Sequence, residues 1–392
     1  MTETLMNEKE GKNNGFEGTA FFEPLKFLGS ICIIGMHYCD CVGKLMMSRR
    51  LELFSRSPAL NYISYVSYTF VEMFFLFSGV VFVKAYKKRL EEGERIADFI
   101  GRRYKRFFPG IAITTTIMFL MNLLLYLETG ALFWAGHLDL RKLFFDYLCA
   151  GTAGYGTGVD PINSPLWYIA ILLQCYLLAA LLVRREKKTG KQYCYLIPVL
   201  LGIYVIVSRS HYFLFNIQFA RGCISFFIGI IIGNNIDKIR EGISKTKRMI
   251  LCVILFCILI FFCIVFVFTV SDPYAFSNNY GAVLPYALLF YPPLVILLLC
   301  SKAVNKICDN KILRYLGRIS YGMYIWNFPL MITFCYLICI SIIPVDMIES
   351  PFGFIGVLFA HVLAGVIMNE AGKFLKNSKQ KKTKEKQSCA SQ

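Results

Sequence analysis

Two of the four histidines, His37 and His361, lie inside long apolar stretches, and so do Glu72, Gln174, Arg221 and Asn327. A charge at the centre of a membrane helix costs about 2.5–3.5 kcal/mol on insertion scales, so such residues normally face a bundle interior or a water-filled cavity. Of this set, imidazole is the group that titrates near neutrality, with an ordinary pKa of about 6.5, and it suits taking a proton from a hydroxyl. A carboxylate such as Glu72 can fix the ring's tautomer and stabilise the imidazolium. Arg221 keeps its charge and needs a partner, either Glu72 or an anionic ligand.

A second group is the run FIGRRYKRFFP (99–109), with Arg102, Arg103 and Arg106. On a helix Arg102 and Arg106 stand one turn apart on one face, a spacing that suits gripping two phosphates. The competing reading is anchorage to anionic lipid head groups, the role assigned to Lys84, Lys87, Lys88 and Arg89. His361 is read as packing or cavity lining.

These residues need elements to hold them. The chain has 392 residues, 56% hydrophobic and 17% charged, whereas soluble domains carry about 45–50% apolar and about 25% charged residues. Runs such as MILCVILFCILIFFCIVFVFTV (249–270) are long enough to cross the roughly 30 Å hydrocarbon core as helices. Apolar runs fall at about 24–43, 62–83, 107–127, 164–183, 192–208, 212–233, 250–270, 281–300, 319–343 and 351–372. The expected fold is therefore an all-α integral membrane protein, a bundle of about ten transmembrane helices. The segment 132–150, with His137, Asp139, Arg141, Lys142 and Asp146, is read as a loop or interfacial helix.

Charge sets the expected orientation. The connection 84–106 carries nine Lys or Arg and the connection 184–191 carries five, while the seventh and ninth connections carry none. This alternation places both termini in the cytoplasm, with the first outer loop (Lys44, Arg49, Arg50 and Arg56) as the exception. Counting along each helix at about 1.5 Å per residue then brings His37, Glu72, Gln174, Arg221, Asn327 and His361 to similar depth. That pattern implies a polar cavity inside the bundle.

The net charge of +17 lies in short clusters between apolar runs, which fits membrane loops and argues against a nucleic-acid partner. The 15 cysteines sit mostly within apolar stretches and read as small hydrophobes. No metal site is expected. GTAGYGTG (151–158) follows no strand and precedes no Gly-Lys-Ser/Thr, so it reads as a flexible outer loop. The expected organisation is a cytoplasmic tail over 1–23, a membrane domain over 24–372 and a basic disordered tail over 373–392. No cleavable leader is expected in the polar first 20 residues, and no attached extracytoplasmic domain after the tenth span.

Six segments in order resemble the acyltransferase-3 family of multi-span membrane enzymes. Lys26-Phe-Leu-Gly29 stands eleven residues before His37, as an Arg-x-x-Ala patch precedes a histidine in the family. VEMFFLFSG (71–79) resembles its acidic-x-Phe-Phe-x-x-Ser-Gly segment, and Arg102, Arg103, Arg106 and Pro109 its Arg-Arg-x-x-Arg-x-x-Pro signature. SPLWYIAILLQCYLL (164–178), ARGCISFFIGIIIG (220–233) and ISYGMYIWNFPL (319–330) follow in the family's order. Three departures stand out: Lys26 for Arg, Ile-Ala-Ile-Leu-Leu over 169–173 where acidic residues are common, and Asn327 where a histidine is frequent.

The resemblance implies an O-acyltransferase of the plasma membrane. It would take acetyl-CoA or another acyl-CoA at Arg102, Arg103, Arg106 and Lys26 and act on a glycan or lipid-linked sugar. His37 would be the base or a transient acyl carrier, with Glu72 as its carboxylate. Arg221, Trp167, Tyr321, Tyr324, Trp326 and Asn327 would line the substrate path, the aromatics by stacking on sugar or merely by packing. The lipid bilayer is the obligate surrounding, and a homo-oligomer is possible. The alternative is a transporter or polysaccharide-export component using the same cavity, because mid-membrane polar groups mark transport paths as readily as active sites.

Overall fold

Continuous apolar runs, with backbone polar groups that lipid cannot satisfy, leave the helix as the workable structure for such segments. In a computed structural model, which describes residues 18–45, 58–130, 138–151, 161–208, 215–269, 283–344 and 346–390, the chain is helical throughout, with no strand among the described residues. The longer helices are α1 (Phe22–Leu45), α2 (Pro58–Phe82), α3 (Ile96–Thr129), α4 (Leu140–Tyr147), α5 (Trp167–Thr189), α6 (Leu196–Ser208) and α7 (Ile217–Gly242). They are followed by α8 (Lys245–Thr269), α9 (Tyr291–Cys300), α10 (Lys302–Cys308), α11 (Lys311–Ile325), α12 (Asn327–Cys339) and α13 (Pro351–Ala390).

Among the described residues six helical stretches are long and apolar enough to cross a bilayer, and a seventh if α11 and α12 are one broken span. This is a multi-pass membrane protein. The expected runs 24–43, 192–208 and 250–270 are helical too, in α1, α6 and α8, but they do not add to that count. The figure of ten, like the side on which the termini lie, rests on charge and hydropathy alone.

Two glycines set the central crossing. A Cβ on Gly79 of α2 would run into the carbonyl of Phe226, and one on Gly229 of α7 into the carbonyl of Leu76. Small residues at this crossing let the backbones touch, which is how membrane helices associate where the hydrophobic effect gives no drive. The helices run parallel, since Glu72 meets Arg221 and Val83 meets Gly233. By the same test α1 runs antiparallel to α2, with the Phe22 ring against Phe77 and Gly29 against Phe70 and Phe74. It runs parallel to α11, with Glu23 against Gly317 and Ser30 hydrogen-bonded to the Ser320 carbonyl.

The structure departs from the sequence reading in three places. The run 319–343 is not one helix: it breaks at Trp326, where α11 and α12 meet at 58°. Pro329 is the cause, because it lacks the N–H that would bond the Ile325 carbonyl and its ring crowds that group. α13 continues as helix through the basic tail to Ala390, where no order was expected. Lys87, assigned to lipid anchoring, is instead buried, donating to Glu186 at 3.0 Å and to Asn234 at 2.8 Å. Tyr195 donates to the same carboxylate at 2.6 Å, so this ion pair joins the end of α2 to α5 and α7. The segment 132–150 contributes α4, while His137, Arg49, Arg50, Arg56 and 152–160 of the glycine-rich stretch lie outside the described residues.

Candidate active site

The cavity is built from the ends of five helices. α1 brings Lys26 and Ser30, α2 brings Phe74 and Ser78, α3 brings Arg103 and Arg106, α5 brings Tyr168 and Tyr176, and α11 brings Tyr321 and Tyr324. Its volume is about 120 Å³. Cations stand on the side of the start of α1 and the start of α3, so this is the basic end of the bundle. Arg106 is exposed and has no ion-pair or hydrogen-bond partner among the described residues. Arg103 is buried, with its guanidinium 3.9 Å from the centre of the Tyr86 ring and Nη1 donating to Tyr86 Oη at 2.8 Å. Lys26 is paired one turn back with Glu23 at 2.8 Å.

Deeper in, the lining turns aromatic. Tyr168 and Ser78 share a hydrogen bond of 3.2 Å, Tyr324 donates to the Pro165 carbonyl at 2.5 Å, and the buried hydroxyl of Tyr321 has no partner among the described residues. A small cavity with charge at the mouth and hydroxyls inside fits a ligand with an anionic head and a short, weakly polar end.

His37 stands beyond the cavity on the same face of α1. Seven residues separate it from Ser30 and eleven from Lys26, close to two and three whole turns, so the three side chains form one stripe about 16 Å long. The imidazole is half-buried and meets the Phe328 ring edge-to-face at 4.9 Å, which places it level with the start of α12.

Glu72 and Arg221 lie elsewhere. They form an ion pair with side chains 0% and 2% exposed. Tyr68 Oη accepts from Arg221 Nη1 at 3.1 Å, and the guanidinium is sandwiched by the Tyr68 and Trp167 rings at 4.6 and 4.9 Å. The second Glu72 oxygen is buried without a donor among the described residues. The register of α1 on α2 sets Glu72 level with Gly29, eight residues short of His37, or about 12 Å along the helix. Counting from the ends of the apolar runs placed the two at nearly one depth. Packing of Phe22 on Phe77 and of Gly29 on Phe74 sets a different register.

A family model described as an acyltransferase domain matches residues 20–370. The chain belongs to the acyltransferase-3 family. No curated protein and no solved structure matches the chain significantly. With its apolar helices, this family member is a membrane acyltransferase.

Within this acyltransferase the expected site residues divide into groups. Lys26, Arg103, Arg106, Tyr321 and Tyr324 meet around the cavity. Arg102 does not, because it pairs with Glu94. The helix therefore presents Arg103 and Arg106, three residues apart, where the spacing alone favoured Arg102 and Arg106. Trp167 packs on Arg221, and Trp326 and Asn327 occupy the break between α11 and α12. His361 belongs to the same break: its Nδ1 lies 2.7 Å from the Val357 carbonyl and its Nε2 3.3 Å from the Asn327 carbonyl. It ties α13 to the break.

Asn163 was not anticipated. Its Nδ2 donates to the Ile325 carbonyl at 2.9 Å and to Thr114 at 3.2 Å, so it satisfies the group that Pro329 leaves unbonded. The proline was the readable signal for the break; nothing near Asn163 in sequence marks it as the residue that answers it. Around it the side-chain amide of Asn327 and the Oδ1 of Asn163 are buried without partners among the described residues.

Outside the membrane helices, α4 is tied down by Asp146. Asp139 caps the helix by accepting the Arg141 N–H at 2.8 Å, and Asp146 Oδ2 accepts the Ile162 N–H at 2.6 Å. Burial pushes the Asp146 carboxyl up to about 7, against the opposing pull of that hydrogen bond and of Lys142. An unfolded aspartate loses its proton near pH 3.9, so the folded chain holds an extra proton between about pH 4 and pH 7. Stability from this group is greatest below that window and declines as pH rises through it. Asp146→Asn should flatten the decline in unfolding temperature between pH 5 and pH 8, measured in detergent beside wild type. Parallel curves for the two proteins would remove Asp146 as its source.

Proposed function

We propose that this protein transfers a short acyl group, acetyl in the first instance, from acyl-CoA to a hydroxyl of a glycan or lipid-linked sugar at the plasma membrane. One observation carries the reading: a cavity with Arg103, Arg106 and Lys26 around it reaches Ser30 of α1, on the helix face that carries His37 two turns further on. The cations suit the phosphates of coenzyme A, Arg106 with free donors and Arg103 from a fixed position. A volume of about 120 Å³ suits a short acyl chain better than a long one. His37 takes the acceptor hydroxyl proton as the oxygen attacks the thioester carbon; the C–S bond breaks, and the imidazolium returns the proton to the departing thiolate. The acceptor approaches from the end opposite the arginines.

The direct test is release of free coenzyme A from acetyl-CoA by protein in lipid, with and without a cell-surface glycan. Acceptor-stimulated release is expected. A solute carrier using the same cavity would consume no thioester, so its absence across donors and acceptors would sink the enzyme reading. Arg106→Gln should raise the KM for acetyl-CoA roughly tenfold with little change in kcat, because it removes a uniform binding contact and no partner inside the protein. Arg102→Gln, already engaged by Glu94, should change donor KM less. Equal effects at both positions would mean the loop's charge acts only in bulk.

A further inference from the structure

A second cleft opens at the same end of the bundle and takes no part in the chemistry above. Its volume is about 750 Å³, and it lies between the end of α7, the first turn of α8 and the start of α10. Arg240, Arg248 and Lys302 line it, and none of its lining residues among the described ones is acidic. We propose that this cleft binds a phosphate group, carried by an anionic lipid head or by a soluble cytoplasmic phosphate compound.

Arg240 is held in place. Its Nη2 donates to the Leu299 carbonyl at 3.1 Å, and its Nη1 lies 3.6 Å from Asp237. The chain crosses directly over it at Gly18, whose φ of +89° admits glycine readily and where a Cβ would overlap the guanidinium. Arg248 and Lys302 have no ion-pair partner among the described residues and face the same cleft from two other helices.

Charges that merely follow the positive-inside bias have no reason to converge; on a convex rim they splay outward into the head groups. Here three elements bring like charges together around a concavity, an arrangement that repels itself when empty and is relieved by an anion. The cleft is also separate from the acyltransferase cavity. The two share no lining residue, and Phe22 of the cavity and Leu299 of the cleft belong to one apolar cluster with Phe21 and Ile236.

The test uses the full chain in phosphatidylcholine nanodiscs, reading the thermal unfolding midpoint. One arm adds inorganic pyrophosphate; the other replaces part of the lipid with phosphatidylglycerol. The double variant Arg248→Glu/Lys302→Glu changes two exposed side chains, so it should fold. Arg106→Gln controls for phosphate held at the other cavity. At least one probe is expected to raise the midpoint, with an apparent affinity roughly tenfold weaker in the double variant and unchanged in Arg106→Gln. A response to pyrophosphate identifies a soluble phosphate ligand, and a response to phosphatidylglycerol alone identifies a lipid head. No shift with either probe, or a shift the double variant retains in full, overturns the site.

Discussion

His37→Ala is expected to lower acceptor-dependent release of coenzyme A by about 10²–10⁴-fold, the usual worth of a positioned general base. The protein should still fold. The ring is half-buried and makes an edge contact with Phe328 at 4.9 Å, so its removal should cost on the order of 1 kcal/mol, well short of the loss of a buried charge. His37→Gln, which keeps bulk and polarity but cannot take up the proton, should be as inactive as alanine. Measuring donor KM alongside kcat separates the roles: the arginine mouth is untouched, so binding of acetyl-CoA should persist while turnover disappears. Turnover within tenfold of wild type in a folded His37→Ala protein would make the histidine structural and leave the cavity without its base.

The second large effect concerns stability. Removing one partner of a buried ion pair strands the other charge and costs about 3–5 kcal/mol. Glu72→Leu should therefore unfold far more readily in detergent than wild type, since Arg221 is 2% exposed between two aromatic rings. The double variant Glu72→Leu/Arg221→Met should recover most of that loss, because an apolar pair of similar volume avoids the desolvation of both charges. Activity then decides what the pair is for. Glu72 stands about 12 Å along the helix from the level of His37 and is engaged by Arg221, so the stable double variant should keep acyl transfer within about tenfold. A double variant that folds but transfers nothing would return Glu72 to the chemistry, in a state where it leaves Arg221 for the imidazole.

These two residues show how much of the site was open to sequence reasoning. Both were picked out by one physical fact, that an ionisable side chain in an apolar run is expensive. Their relation was not readable, because depth counted from the ends of apolar runs carries an error of a turn or two. Here the register of α1 on α2 is decided by where phenylalanine rings and a glycine fit together. The arginine cluster behaves alike. Its presence and helical setting were legible, but Glu94 draws Arg102 away while Tyr86 and the bundle interior receive Arg103.

Composition, run lengths and the order of six short segments determined the class of this protein by themselves: helical, many times across a membrane, and of the acyltransferase-3 family. They did so because hydrocarbon tolerates no unbonded backbone, and each segment of twenty apolar residues must then be helical whatever its neighbours are. Tertiary structure alone decided which polar groups meet. It turned Lys87 inward to Glu186, gave Arg221 to Glu72 and set Asn163 against the carbonyl that Pro329 leaves free. Each of these partners lies far away along the chain, and the gain from pairing exists only after the helices have packed.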